Sequence, residues 1–412
     1  MTNPERNPNV ILRVIAVALA SVPLIVLALV SGQSAHAQTF KVLHAFTCGA
    51  DGGYPSAGVT LRGGYLYGTT FDCGYGGGTI YEIPRSGDSW GELIPLVDFY
   101  SAAGPRTRLV FGPDGQGYGT TGYYRGTSTQ VYKLIPPFTV CGSITCPSSW
   151  KADVIDIPDP FPCFGDLTFD QQGNIYGTTQ LGGPREGTVY ELTRSGSTWT
   201  DRTIYDFTGN KDGQNPEGGV IFGSNGDLFG TTYGGGADGV GTVFKLANVN
   251  GTWVETILYS FQNASDGWNP VAGLVSDGSG NLYGATSIGG SGSGGTIFEM
   301  VRSDNSYTFK VLYNLSGPPL NCGPWVALTL DAAGNLYGVT ECDGAYQYGS
   351  VFKLTNTQNG WVYSSLHDFT DTYDGAWPIS NVTIDTDGKL YGTSSQSYGE
   401  QYNYGVVWMI AP

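Results

Sequence analysis

Histidine is scarce in this 412-residue chain, and that limits the chemistry available to it. His36 lies in an apolar N-terminal region, leaving His44 and His367. Both occupy a position that is Tyr205, Tyr259 and Tyr313 in equivalent segments, so they read as structural repeat residues. A Ser-His-Asp triad and a multi-histidine metal site are therefore not expected. Carboxylates are more plentiful. Asp170, Asp277, Asp331 and Asp385 each precede a glycine-bearing turn, where an aspartate bonds its own backbone. Asp51, Asp212, Asp266 and Asp374 each open a D-G-x-x-P segment. They suit turns, and paired carboxylates in such loops would also serve acid–base work on a sugar. Aromatic residues cluster in the same loops. Tyr54, Trp268 and Trp377 lie inside D-G-x-x-P, and Trp325 follows Cys322-Gly323-Pro324. Rings of this kind stack on the flat apolar faces of sugars or pack against neighbouring loops. These eight residues form the candidate ligand-binding set. No catalytic residue, metal ligand or cofactor site is assigned.

The elements that position them come from an internal repeat. Tyr67-Gly68-Thr69-Thr70 recurs at Tyr118, Tyr176, Phe229, Tyr283, Tyr337 and Tyr391, in steps of 51, 58, 53, 54, 54 and 54 residues. Each unit contains four short runs rich in β-branched and aromatic residues, bounded by Gly, Asn or Asp turns. Seven such units predict an all-β, seven-bladed β-propeller of four-stranded blades. The third-strand type, from Thr79-Ile80-Tyr81 to Val406-Val407-Trp408, occurs seven times, whereas the outer type occurs six times between units. The seventh outer strand is Val42–Phe46, near the N-terminus. Pairing it with Val406–Met409 closes the ring and removes two exposed sheet edges.

The pattern D-G-x-x-P, then G-L-x-x-D-x-x-G-N-L-Y-G-T-T, then G-G and G-T-V-F-K-L resembles the GloVer tandem-repeat proteins. Asp212 to Leu246 fits it almost throughout, and the likeness covers nearly all of 40–412. The second unit departs most, with Ser101-Ala102-Ala103-Gly104-Pro105 in place of D-G-x-x-P. The resemblance implies an exported bacterial repeat protein of propeller type and carries over no catalytic residues. Many relatives end in a sorting anchor; the absence of one before Pro412 favours release over surface attachment.

Residues 1–37 read as an export signal, with Arg6 and Arg13, an apolar run Val14 to Val30, and Ala35-His36-Ala37 before the cleavage point. The expected organisation is a signal peptide, 1–37, and a single propeller domain, 38–412, secreted or held in the periplasm or envelope as a monomer. An uncleaved N-terminal anchor is the alternative, since the apolar run is long for a signal. Sixty-four glycines, 13% aromatic and 13% charged residues describe a β-rich, turn-rich protein. The formal charge is −16; residues 1–37 hold Glu5, Arg6 and Arg13, net +1, leaving −17 for the rest. A chain this acidic, without a basic stripe, repels phosphate backbones and excludes nucleic-acid binding.

Seven cysteines follow the leader, in a setting where disulfides persist. Cys48 and Cys73 belong to two loops of the first unit that share one face; Cys322 and Cys342 hold the same places in the sixth. These positions predict Cys48–Cys73 and Cys322–Cys342 bridges, each contributing about 3 kcal/mol. Cys141 and Cys146 share a long insertion and are expected to pair, leaving Cys163 alone. The leading functional expectation is an exported, non-enzymatic binding propeller recognising a polysaccharide or protein on the D-G-x-x-P face. The alternatives are a carbohydrate-active hydrolase or lyase using channel-mouth carboxylates and tyrosines, and a purely structural envelope repeat protein.

Overall fold

Each blade is built around one glycine that cannot be anything larger. In Y-G-T-T the glycine sits directly across the sheet from an aromatic residue of the third strand, as Gly284 faces Phe298 and Gly392 faces Trp408. A Cβ built on these glycines would lie 2.5 Å from the Phe298 ring and 2.3 Å from the Trp408 ring. The aromatic side chain therefore lies flat over bare backbone, and all seven blades repeat the arrangement with Tyr81, Tyr132, Tyr190, Phe244, Phe298, Phe352 and Trp408. The threonine two places on locks the same strand pair: Thr232 Oγ1 and Thr242 Oγ1 are 2.8 Å apart, Thr179 and Thr188 likewise.

The computed structural model describes residues 38–412 except 101–103, 123–128, 138–148, 156, 158–163, 182–185, 197, 263–264, 305, 318–321 and 397–403. The expected signal segment and Cys141, Cys146 and Cys163 lie outside the described residues. Seven antiparallel sheets form a seven-bladed β-propeller. In the fourth blade the strands run, from the channel outward, Val220–Phe222, Leu228–Thr232, Thr242–Val249 and Thr252–Ser260. The seventh blade combines Thr383–Ile384, Leu390–Ser394 and Val406–Ala411 with Thr39–Ala45, which pairs along Val406–Ala411 from Ala45↔Val406 to Thr39↔Ala411. The closing strand starts earlier than its sequence pattern indicated. Phe46 lies just beyond it, 1% exposed, in a cluster with Val59, Tyr81 and Val407. The second blade's outer strand is Lys151–Ile155.

The apolar core lies between blades. Seven clusters of buried side chains each join one blade to its neighbour, such as Tyr283, Ile297 and Leu315 of the fifth blade with Leu328, Leu336 and Phe352 of the sixth. The outer strands of every blade but the second carry a β-bulge at an aliphatic residue, for example Leu258 between Tyr259↔Val243 and Ile257↔Phe244. The bulge turns the following Tyr or His toward the next blade, where a ring meets it. Tyr259 stacks on Phe309 at 3.9 Å, Tyr313 on Tyr363 at 4.8 Å and His367 on Phe40 at 3.7 Å.

At the boundary between third and fourth blades the stacking position is Glu255, across from Leu246, next to Tyr205 and Asp212. Burial, with the nearby Asp212 carboxylate, pushes the Glu255 carboxyl up to about 7. The folded chain thus binds this proton more readily than the unfolded chain, so its contribution to stability falls as pH rises from about 4.5 to 7. Glu255→Gln is expected to raise the melting temperature at pH 8 and leave it unchanged at pH 4.5. Equal shifts at both values would refute this reading.

Candidate functional site

The D-G-x-x-P loops follow the outer strands and lead into the innermost ones, so each connects one blade to the next. Their aspartates act on the loop itself. Asp374 Oδ2 is 2.9 Å from His367 Nε2 and accepts the Thr370 N–H, while Asp51 does the same with His44 and Thr47. Tyr259 donates to Asp266 at 2.8 Å and Tyr205 to Asp212 at 3.3 Å. For Asp51 and Asp374 burial raises the pKa, but these hydrogen bonds outweigh it and hold the carboxyls below the usual range. Asp170, Asp277, Asp331 and Asp385 cap their hairpins, each accepting backbone N–H groups and a tyrosine hydroxyl, as Tyr391 donates to Asp385 at 2.9 Å.

The loop glycine rests on the Y-G-T-T threonine: a Cβ at Gly267 would lie 2.1 Å from Thr286 Oγ1. The proline packs on the glycine that opens the preceding blade's third strand, where a Cβ at Gly241 would fall 2.5 Å from Pro270 Cδ. The residue before the proline bridges the blades through its backbone. Asn269 N donates to Val240 O of the blade before, and its carbonyl accepts from Ser287 N of its own blade. Tyr54 and Trp377 do the same, in left-handed conformations with φ of 56° and 51°. The two predicted disulfides, Cys48–Cys73 and Cys322–Cys342, are present and span this face, each with Cα atoms 4.9 Å apart. With two disulfides, and with no helix among the described residues long and apolar enough to cross a membrane, the chain is consistent with an extracellular or periplasmic protein.

The four candidate aromatic residues separate. Tyr54 meets Tyr404 edge-on at 5.7 Å, and Trp268 packs partly buried against the core between fourth and fifth blades. Trp377 is half-buried with its backbone engaged in the blade-to-blade latch. Trp325 is on the wall of the central channel. Its difference is one of register, because it stands one place after the proline instead of before it.

That position is what motif reading overlooked. The residues one place after the loop proline, and Phe164 at the matching place in the third unit, are Ser56, Arg106, Phe164, Glu217, Val271, Trp325 and Ile379. All seven line one cavity of about 1140 Å³ in the channel. The flanking backbone repeats while the residue type differs in every blade. Aligning the repeats and looking for the column without agreement would have found it. Gln180, Tyr233 and Glu341, each directly after Y-G-T-T or its equivalent, add to the same wall. Gln180 Nε2 donates to Glu217 Oε1 at 2.5 Å, and Arg108 pairs with Asp166 at 3.0 Å. Burial pushes both the Glu217 and Glu341 carboxyls up, partly offset by hydrogen bonds from Gln180 and Trp325. Tyr75, Tyr100, Tyr346 and Tyr373, in loops outside the cavity wall, are each more than half exposed. The wall thus combines aromatic planes, amide and carboxyl hydrogen-bonding groups and two cations, Arg106 and the Asp166-paired Arg108, the mixture that holds a polar ligand in a fixed orientation.

Solved structures similar to this chain share its propeller fold. An ancestral GH74 enzyme is 15% identical over 87% of this chain and 48% of its own, with a TM-score of 0.53, so this chain spans about half its length. A provisionally assigned 6-phosphogluconolactonase from Bacteroides fragilis is 17% identical over 82% of this chain and 87% of its own, with a TM-score of 0.52. An ulvan lyase of polysaccharide lyase family 25 is 10% identical over 87% and 92%, with a TM-score of 0.51. At these identities the likeness concerns the fold alone. No curated protein sequence matches the chain. The Gloeobacter/Verrucomicrobia repeat matches it twice, over residues 160–321 and 254–412, and the chain belongs to that family, as the resemblance to the GloVer proteins implied.

Proposed function

We propose that this protein is an exported, non-enzymatic binding propeller that receives a polysaccharide at the channel mouth on the D-G-x-x-P face. In this reading residues 1–37 are removed near Ala37 and the propeller acts as a free monomer. The observation that carries it is the cavity wall, where a constant backbone presents a different side chain from each of seven blades. Loops that only close the ring would have no reason to differ at that one place. Trp325 supplies a plane for a sugar ring, and Gln180, Glu217 and Tyr233 supply partners for hydroxyl groups.

A glycan array followed by calorimetric titration tests the reading. Trp325→Ala is expected to weaken binding of the captured glycan by about two- to ten-fold, with an unchanged melting curve. Silence on every glycan, or full affinity in the variant, would sink it. The Glu217 and Glu341 carboxyls on the channel wall, pushed up by burial, favour one further reading, since a carboxyl with a raised pKa suits a general acid acting on a glycosidic bond. Product analysis separates the two: turnover that disappears in Glu217→Gln or Glu341→Gln supports the enzyme, and binding without products supports the binding module.

A further inference from the structure

Most charged groups of the channel wall already have a polar partner. Arg108 holds Asp166 through both Nε, at 3.1 Å, and an Nη atom at 3.0 Å. Glu217 receives the Gln180 amide, and Glu341 receives a side-chain hydrogen bond from Trp325. Arg106 differs. Its guanidinium lies over the Phe71 ring at 4.5 Å and near the Phe164 ring at 5.1 Å, and no carboxylate reaches it among the described residues. Its main chain is fixed on both sides, the N–H donating to Thr120 O and the carbonyl accepting from Ser56 Oγ. Aromatic faces steady a cation without engaging its N–H groups as hydrogen-bond donors. Arg106 is only half-buried where it lines the cavity, so its N–H groups stay open to an anion supplied from outside. A planar fork of donors suits two-point recognition of a carboxylate or a sulfate. The cavity, about 1140 Å³, is far larger than a simple anion needs, and it carries Trp325 on its wall.

We propose that the channel mouth selects an acidic saccharide, whose carboxylate or sulfate group is received by Arg106 between Phe71 and Phe164. This rests on the saccharide-binding reading above and names the ligand class. The protein's formal charge of −16 gives no long-range attraction for such a ligand, so the selection is local to this arginine.

The test is calorimetric titration of the whole protein with two matched pairs. One pair is tetragalacturonate and its methyl ester; the other is a sulfated galactan tetrasaccharide and its desulfated form. One acidic member is expected to bind about ten- to a hundred-fold more tightly than its neutral partner. Which pair shows the preference decides between carboxylate and sulfate. Arg106→Gln is expected to abolish the preference, bringing the acidic member's affinity down to that of its neutral partner measured on the same variant, while Arg106→Lys keeps part of it. If Arg106→Gln does not fold, judged by its melting curve, the matched pairs on the unmodified protein and on Arg106→Lys still decide. Equal affinity for acidic and neutral members, or a preference that survives in Arg106→Gln, overturns the role of Arg106 and leaves saccharide binding standing. Failure of all four oligosaccharides and of every array glycan overturns the saccharide reading and this inference with it.

Discussion

A chain lacking residues 38–46 is expected to lose the cooperative thermal transition of the intact propeller and to associate in solution. The missing segment is the outer strand of the seventh blade, paired along Val406–Ala411. Without it Val406–Ala411 becomes an unpaired edge that offers a row of free N–H and C=O groups to other chains. The apolar loss is equally large. Phe40 packs on His367, Phe369 and Trp408, and the 1% exposed Phe46 fills the joint with the first blade, its N–H bonded to Gly405 O at 3.0 Å. The single change Phe46→Ala should cost about 3–5 kcal/mol by itself. Chemical denaturation of that variant, and melting with size-exclusion chromatography for the truncated chain, provide the measurements. A truncated chain that melts like the intact one, as a monomer, would show that closure does not depend on this strand. Restoration of the transition by an added peptide of residues 38–46 would show that it does.

The second large effect is expected from adding one methyl group inside a blade. Gly284→Ala places a Cβ 2.5 Å from Phe298 Cζ and 2.9 Å from Leu274 Cδ2, all of them buried. The chain can relieve the clash only by moving Phe298 out of the cluster shared by the fourth and fifth blades, at about 1–3 kcal/mol. A smaller ring neighbour should absorb the insertion. In Phe298→Leu the added Gly284→Ala is expected to cost at least about 1 kcal/mol less than in the unmodified protein. Gly278→Ala is the control, since a Cβ there meets nothing within 4 Å and its φ is not positive. Equal penalties at Gly278 and Gly284 in urea titrations would contradict the role assigned to the Gly–aromatic pair.

The architecture was legible because the repeat motif and the packing are one fact seen twice. Tyr, Gly and Thr of Y-G-T-T recur since each touches something that also recurs: the hairpin aspartate, the third-strand ring, and the threonine opening the third strand. Ring closure could be read from a missing outer strand, and the two disulfides from cysteines at equivalent places in two units. The site was less legible for the converse reason. A repeated residue announces itself, and the D-G-x-x-P aspartates and prolines drew attention to loops whose repeated members serve the latch between blades. Tyr54, Trp268 and Trp377 stand out by chemistry, yet their register directs them to the latch or the joint between blades and away from the cavity wall. Arg106 lies in the unit that departs most from the repeat, and nothing in its sequence neighbourhood signals a guanidinium held between Phe71 of the first unit and Phe164 of the third.

The location of the core at the joints has a consequence for how such a chain can be divided. No blade owns a hydrophobic interior; each contributes half of two, and both halves are bare until its neighbours arrive. A fragment of one unit would be a four-stranded sheet with two greasy sides and no reason to stay folded alone. A fragment of three or four units would keep its inner joints but end in two such sides, and the cheapest cover for them is another copy of the same fragment. Halves of this protein should therefore find each other, so the ring can be rebuilt from separate pieces as long as the number of blades comes to seven.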